Sequence, residues 1–137
     1  MSGKNEINPQ NQVDFLTRIS SIEAHECIHQ IQAYFARHSC AKVHFTGTSN
    51  GDLRVKAIYN DKWQNIFTMD WKPSYSRFLC RMYQINGNVQ NMPLISNPRK
   101  PTSTTEPLQI EFDYTPKMQN GVLINLIDVA VAVFCQT

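Results

Sequence analysis

The sequence predicts an α+β domain of two layers: a mainly antiparallel four- or five-stranded sheet with helices packed on one face, in the order α-α-β-β-β-α-(β)-β-α. Three observations lead there. Between Ala41 and Trp71 three short runs alternate apolar and polar residues, separated by Asn50-Gly51 and Asn60-Asp61-Lys62, the punctuation of an antiparallel meander. In the middle run Leu53, Val55, Ala57 and Tyr59 share one face while Arg54 and Lys56 point the other way, so the sheet has a dry side and a wet side. Flanking these runs are apolar stripes at helical spacing.

Taken in order, residues 1–12 lack apolar periodicity and read as a flexible tail, leaving 13–137 as a single domain of ordinary size. Phe15, Leu16 and Ile19 predict a short first helix. Ser20 and Glu23 form a capping-box pattern ahead of Ala24, Cys27, Ile28, Ile31, Tyr34 and Phe35, which predict a helix over 21–37. Strands follow at 41–48, 52–59 and 63–71, with Val43 and Phe45 set against His44 and Thr46, and Phe67, Met69 and Trp71 against Thr68, Asp70 and Lys72. Tyr75, Phe78, Leu79, Met82 and Tyr83 recur at helical spacing between Pro73-Ser74 and Asn86-Gly87, predicting another helix. Residues 88–106, with Pro93, Pro98 and Pro101, read as a mobile loop with room for a short strand near Met92–Ser96. Leu108, Ile110, Phe112 and Tyr114 alternate with Gln109, Glu111 and Asp113 in a half-buried strand that Pro116 ends. Gly121 to Cys135 reads as an apolar helix, with a strand as the alternative. So apolar an element has to be covered by the sheet or by a second subunit, and a homodimer is one way to do it.

Composition narrows the function classes. The net charge is +2 and charged residues make up 18%, below the roughly 25% of a typical domain, so no arginine-loaded nucleic-acid binder is announced. The four cysteines, Cys27, Cys40, Cys80 and Cys135, form no CxxC pair and read as buried free thiols. With a polar N-terminus lacking an apolar signal region, they favour a reducing, cytoplasmic setting. The apolar run 122–135 is shorter than the about 20 residues a membrane span needs, so no membrane is expected. The glycines are isolated and supply no phosphate loop.

Three constellations could carry chemistry. His25-Glu26-Cys27-Ile28-His29 is an HExxH run, in which histidines one helical turn apart can bind zinc beside a glutamate base; it resembles the motif of zinc-dependent metalloproteases. Gly51-Asp52 followed by Asp70-Trp71-Lys72 resembles the PD-(D/E)xK nucleases over roughly residues 21–86. That likeness implies Asp52 and Asp70 as Mg²⁺ ligands and Lys72 steadying the attacking water or the phosphate. Lys42, His44, Arg54, Lys56 and Lys72 should populate an open sheet face suited to phosphates, while the aromatics Phe45, Tyr59, Phe67 and Trp71 point inward. The order helix, three strands, helix, with 49–67 within it, is similar to the small RNA-binding subunits of the signal recognition particle Alu domain, and the full order to type III secretion chaperones. The reading that follows is a small non-catalytic binding or adaptor domain. It needs no cofactor and meets a protein or nucleic-acid partner through the polar, mildly basic sheet face. A Mg-dependent nuclease and a zinc hydrolase through His25 and His29 are the alternatives.

Overall fold

The computed structural model describes residues 9–47, 51–59, 61–83, 96–99 and 109–135. Within them run α1 (Pro9–Thr17), α2 (Ile22–Phe35), β1 (Ala41–Phe45), β2 (Leu53–Tyr59), β3 (Lys62–Lys72), β4 (Arg77–Tyr83), β5 (Ser96–Arg99), β6 (Gln109–Tyr114) and α3 (Gly121–Cys135). The strands form one sheet in the order β1-β2-β3-β4-β6-β5, every neighbouring pair antiparallel. The α+β class and the antiparallel sheet are as expected, with six strands instead of four or five.

Period-two alternation sorts the strands into two faces. Leu53, Val55, Ala57, Phe67, Met69, Phe78, Cys80, Met82, Ile110, Phe112 and Tyr114 are buried, and they form one core cluster with Phe15 of α1, Ile28, Ile31 and Phe35 of α2, and Leu123, Ile127 and Val131 of α3. Opposed pairs such as Trp71 and Phe78, with ring centroids 5.0 Å apart, add edge-to-face contacts. On the other face Arg54 and Arg81 keep 33% and 42% of their side chains exposed. This is the polar side that the middle strand's alternation requires, although His44, Glu111 and Asp113 on it are buried.

Four details correct the sequence reading. Residues 77–83 form a strand, not a helix. Phe78, Cys80 and Met82 also alternate at period two, and pairing to both β3 and β6 satisfies the whole backbone of this run, which an isolated short helix would not match. Pro73 to Ser76 make a tight turn instead of a helix start, with Ser76 in the left-handed region at φ 53. The likenesses that relied on a helix after the third strand lose that helix. Second, α1 begins at Pro9, inside the stretch expected to be a loose tail, because proline is preorganised for a first helical position. Third, α2 is capped by Ser21, whose hydroxyl accepts from the Ala24 N–H at 3.1 Å, so the cap is one residue later than Ser20. Fourth, Cys40 and Cys135 are joined in a disulfide, since the fold brings the start of β1 against the end of α3, while Cys27 and Cys80 are buried free thiols as expected. The thiol argument for a reducing compartment therefore holds for only two of the four cysteines. Most of the 88–106 loop lies outside the described residues, as does most of the strand expected at Met92–Ser96; Ser96–Arg99 is the edge strand β5. No helix among the described residues is long and apolar enough to cross a membrane.

A buried polar junction locks α3 to α2 and β6. Asn120 is 1% exposed; its Oδ1 accepts from the Tyr114 hydroxyl at 2.6 Å and the Lys117 N–H at 3.1 Å, and its backbone and side-chain N–H groups both donate to Gln30 Oε1. Replacing Asn120 with Ala leaves several of these groups unpaired in a dry setting, and each such group costs about 1–3 kcal/mol. We expect Asn120→Ala to lower unfolding stability in urea by about 3 kcal/mol, against no measurable change for the exposed neighbour Gln119→Ala.

Candidate functional site on the open sheet face

The register places basic residues side by side. Lys42 of β1 lies opposite Lys56 of β2, and His44 opposite Arg54. Arg54 in turn faces Thr68 of β3, and Thr68 faces Arg81 of β4, so one row across the sheet reads His44, Arg54, Thr68, Arg81. Four of the five residues expected to bind a partner, Lys42, His44, Arg54 and Lys56, are thus brought together at the β1–β2 corner. Lys72 is not: it stands four residues along β3 from Thr68, about 13 Å at strand rise, and pairs with Asp70 at 3.1 Å.

The corner is electrostatically tense. His44 is 8% exposed and its Nδ1 is buried without a hydrogen-bond partner. Burial, and then the nearby Lys56, Arg54 and Lys42, push its pKa below the ordinary histidine value, with Asp52 pulling weakly the other way. The Lys56 ammonium is likewise shifted down, first by burial and then by Arg54 and Lys42. Arg54 is compensated by Asp52, at 2.9 Å. The β4–β6 side of the same face is neutralised by Arg77–Asp113 and Arg81–Glu111 pairs at 3.2 and 2.8 Å. Between Arg54 and Arg81 a cavity of about 140 Å³ opens, lined also by Asp52, Asn65, Ile66 and Thr68.

An aromatic ring sits in the same field. Strict alternation back from Phe67 would turn Trp63 inward, but a β-bulge intervenes: Val55 pairs with Phe67 and Lys56 with Asn65, so Ile66 is an extra residue. The bulge reverses the phase, and Trp63, opposite Ile58, lies on the hydrated face with 41% of its surface exposed. Lys42 Nζ lies 4.3 Å from the centroid of its ring, a cation–π contact that links the indole to the basic corner. Sequence reasoning missed Trp63 because the bulge has no composition signature; buried Ile66 out of phase with Phe67 is the trace it leaves.

No known protein family, curated protein or solved structure matches this chain.

The other sequence candidates are placed as follows. Asp52 immediately precedes β2 and Asp70 lies near the end of β3, but each carboxylate is paired with a cation two residues on, Arg54 and Lys72. Asp52 is further held by Thr46, whose hydroxyl donates at 3.2 Å. In the HExxH run, the His25 ring N–H donates to the Ile19 carbonyl at 2.7 Å, Glu26 accepts from Gln30, and His29 is exposed. Among the described residues these side chains form no group of three metal-ligating atoms; the one such group is His38, Cys40 and Cys135.

The depressed histidine gives a pH signature. Because neutral His44 is favoured in the folded chain, its contribution to stability is complete above the unfolded histidine value near 6.5 and is lost as pH falls toward its lower folded value. We expect the stability difference between wild type and His44→Gln to shrink below about pH 6.5, by less than about 1.4 kcal/mol per pH unit, the limit for one proton, in urea unfolding across pH 5–8.

Proposed function

We propose that the protein binds single-stranded nucleic acid, without catalysing a reaction on it, across the β1–β2–β3 corner of its open sheet face. The observation that carries this reading is the indole of Trp63 turned by the bulge into the field of Lys42, Lys56 and Arg54. Unpaired bases stack on aromatic faces while adjacent cations follow the phosphates, and stacking is tolerant of sequence. The proximity of like charges supports an anionic partner: burial first, and then the neighbouring cations, lower the His44 and Lys56 pKa values, and a phosphate placed there offsets the second of these causes. The cavity between Arg54 and Arg81 is the less favourable part of the face for a phosphate, since Asp52, which lines it, pairs with Arg54, and Glu111 pairs with Arg81. A net charge of only +2 gives little long-range steering, so the binding is local and moderate. The non-catalytic part of the reading rests on Asp52 and Asp70 being engaged with Arg54 and Lys72.

A salt titration with a labelled single-stranded oligonucleotide tests it. Three phosphate contacts, through Lys42, Arg54 and Lys56, predict a slope of log K against log salt of about −2, at ~0.7 per contact for single strands. Trp63→Ala should weaken binding by roughly tenfold or more, as the about 1–3 kcal/mol of one base stack implies, and by the same factor at every salt concentration. Affinity independent of salt or equal affinity for duplex would overturn the single-strand proposal, and stronger competition from polyglutamate than from unlabelled oligonucleotide would replace it with a polypeptide partner.

Self-association through α3 is a second reading, favoured by Val122, Val129 and Val133, which are 46–49% exposed on one side of that helix. Sedimentation decides it: a dimer that Val129→Glu dissociates supports it, and a monomer at high concentration removes it.

A further inference from the structure

Where the turn after α2, the start of β1 and the end of α3 meet, four side chains form a chain of contacts unrelated to the sheet face. His38 Nε2 lies 3.3 Å from Asp128 Oδ1, the other oxygen of Asp128 accepts from the Tyr34 hydroxyl at 2.9 Å, and His38 Nδ1 lies 3.8 Å from Cys40 Sγ. Cys40 is bonded to Cys135. The Cys40 backbone N–H donates to His38 Nδ1 at 3.2 Å, so Nδ1 carries the lone pair and Nε2 the proton that it shares with Asp128. The imidazole is thus fixed in one tautomer, with Nδ1 near the Cys40 sulfur and its lone pair accepting from the Cys40 N–H, a hydrogen bond that an ion bound at Nδ1 replaces.

We propose that the reduced form of this cluster is a site for a borderline-soft divalent cation, zinc above all, held by the Cys40 and Cys135 thiolates and His38 Nδ1, with Asp128 orienting the imidazole from behind. One nitrogen and two sulfur donors within 4.8 Å of one another suit a tetrahedral ion. A carboxylate on the far nitrogen of a metal-binding histidine is the arrangement that holds such ligands in place, and here that carboxylate is itself held by Tyr34. The three protein ligands leave a fourth position for solvent or a small ligand, beside a cavity of about 400 Å³ that His38 also lines. Cys27 and Cys80 do not compete, being deeply buried in the core.

The two states of the cluster interconvert by thiol chemistry. Two molecules of a thiol, RSH, give two electrons and two protons to the Cys40–Cys135 disulfide, yielding two cysteine thiols and RSSR. Zinc then displaces both thiol protons to solvent as two Zn–S bonds form. In the reverse direction RSSR takes two electrons and, with two protons, returns to two RSH, while the disulfide reforms and the ion leaves. Either state ties the start of β1 to the end of α3, and the chain exchanges a covalent clasp for a metal clasp.

Cobalt(II) is the probe. The full chain is reduced with a phosphine, desalted anaerobically, confirmed by thiol assay and titrated with cobalt, in parallel with the oxidised protein. The reduced protein should bind one ion per chain with a thiolate-to-cobalt charge-transfer band and the ligand-field bands of a tetrahedral site, both lost on adding zinc; the oxidised protein should show neither. Cys135→Ser should abolish the charge-transfer band, His38→Gln should shift the ligand-field bands, and His29→Ala should change nothing. Asp128→Asn, at a part-exposed carboxylate whose loss leaves the core intact, should weaken binding about 10–100-fold. Absence of the band in the fully reduced wild type overturns the proposal, as does an unchanged band in Cys135→Ser.

Discussion

The structure depends on a sheet that is dry on one side and hydrated on the other. Alternate residues of β2, β3, β4 and β6 join the helices in a single core in which Leu53, Val55, Phe67, Phe112 and Ile127 are fully enclosed. At about 25 cal/mol per Å² of apolar surface, this burial is the dominant favourable term, and it fixes the register of every strand, since a slip of one residue would exchange the faces. The cations of the opposite face are therefore where they are because the core holds their neighbours. Arg54 and Lys56 have no other direction available to them once Leu53, Val55 and Ala57 are inside.

Upon that frame one irregularity creates the candidate site. The extra residue Ile66 changes the phase of β3 between Asn65 and Phe67, so the strand contributes Phe67, Met69 and Trp71 to the core and Trp63 to the hydrated face. Ion pairing completes the pattern by dividing the face. Toward β6 the arginines meet Asp113 and Glu111, whereas toward β1 Asp52 offsets Arg54 alone, Lys42 contacts an indole and Lys56 lies among like charges. A neutral half and a cationic half on one small sheet give an anionic chain a preferred place to lie.

Much of this was legible from residues alone, and the failures have separate physical causes. The meander, α2 and β6 declared themselves because their periods are clean and their turns carry Asn-Gly or proline, while the valines of α3 left a strand open as its alternative. The run 77–83 did not, because Phe78, Leu79, Met82 and Tyr83 satisfy a helical period while Phe78, Cys80 and Met82 satisfy a strand period. The free edges of β3 and β6 decide between them, and those edges are tertiary facts. The basic corner was readable from alternation, apart from Lys72, whose partner Asp70 lies two residues away on the same face. Trp63 was hidden by the bulge. The His38, Cys40, Cys135 and Asp128 cluster was hidden by distance, since 95 residues separate its two sulfurs; the His-x-Cys spacing and the seven residues from Asp128 to Cys135, two turns of one helix, are the signals it does leave.

The claim on which the functional account turns is that Trp63 is solvated within a cationic field, and its fluorescence in a Trp71→Phe chain reports that directly. Red-shifted emission is expected, quenched much more efficiently by iodide than by caesium, because Lys42, Lys56 and Arg54 concentrate the anion and repel the cation. Blue-shifted emission resistant to both ions, or equal quenching by the two, would contradict it.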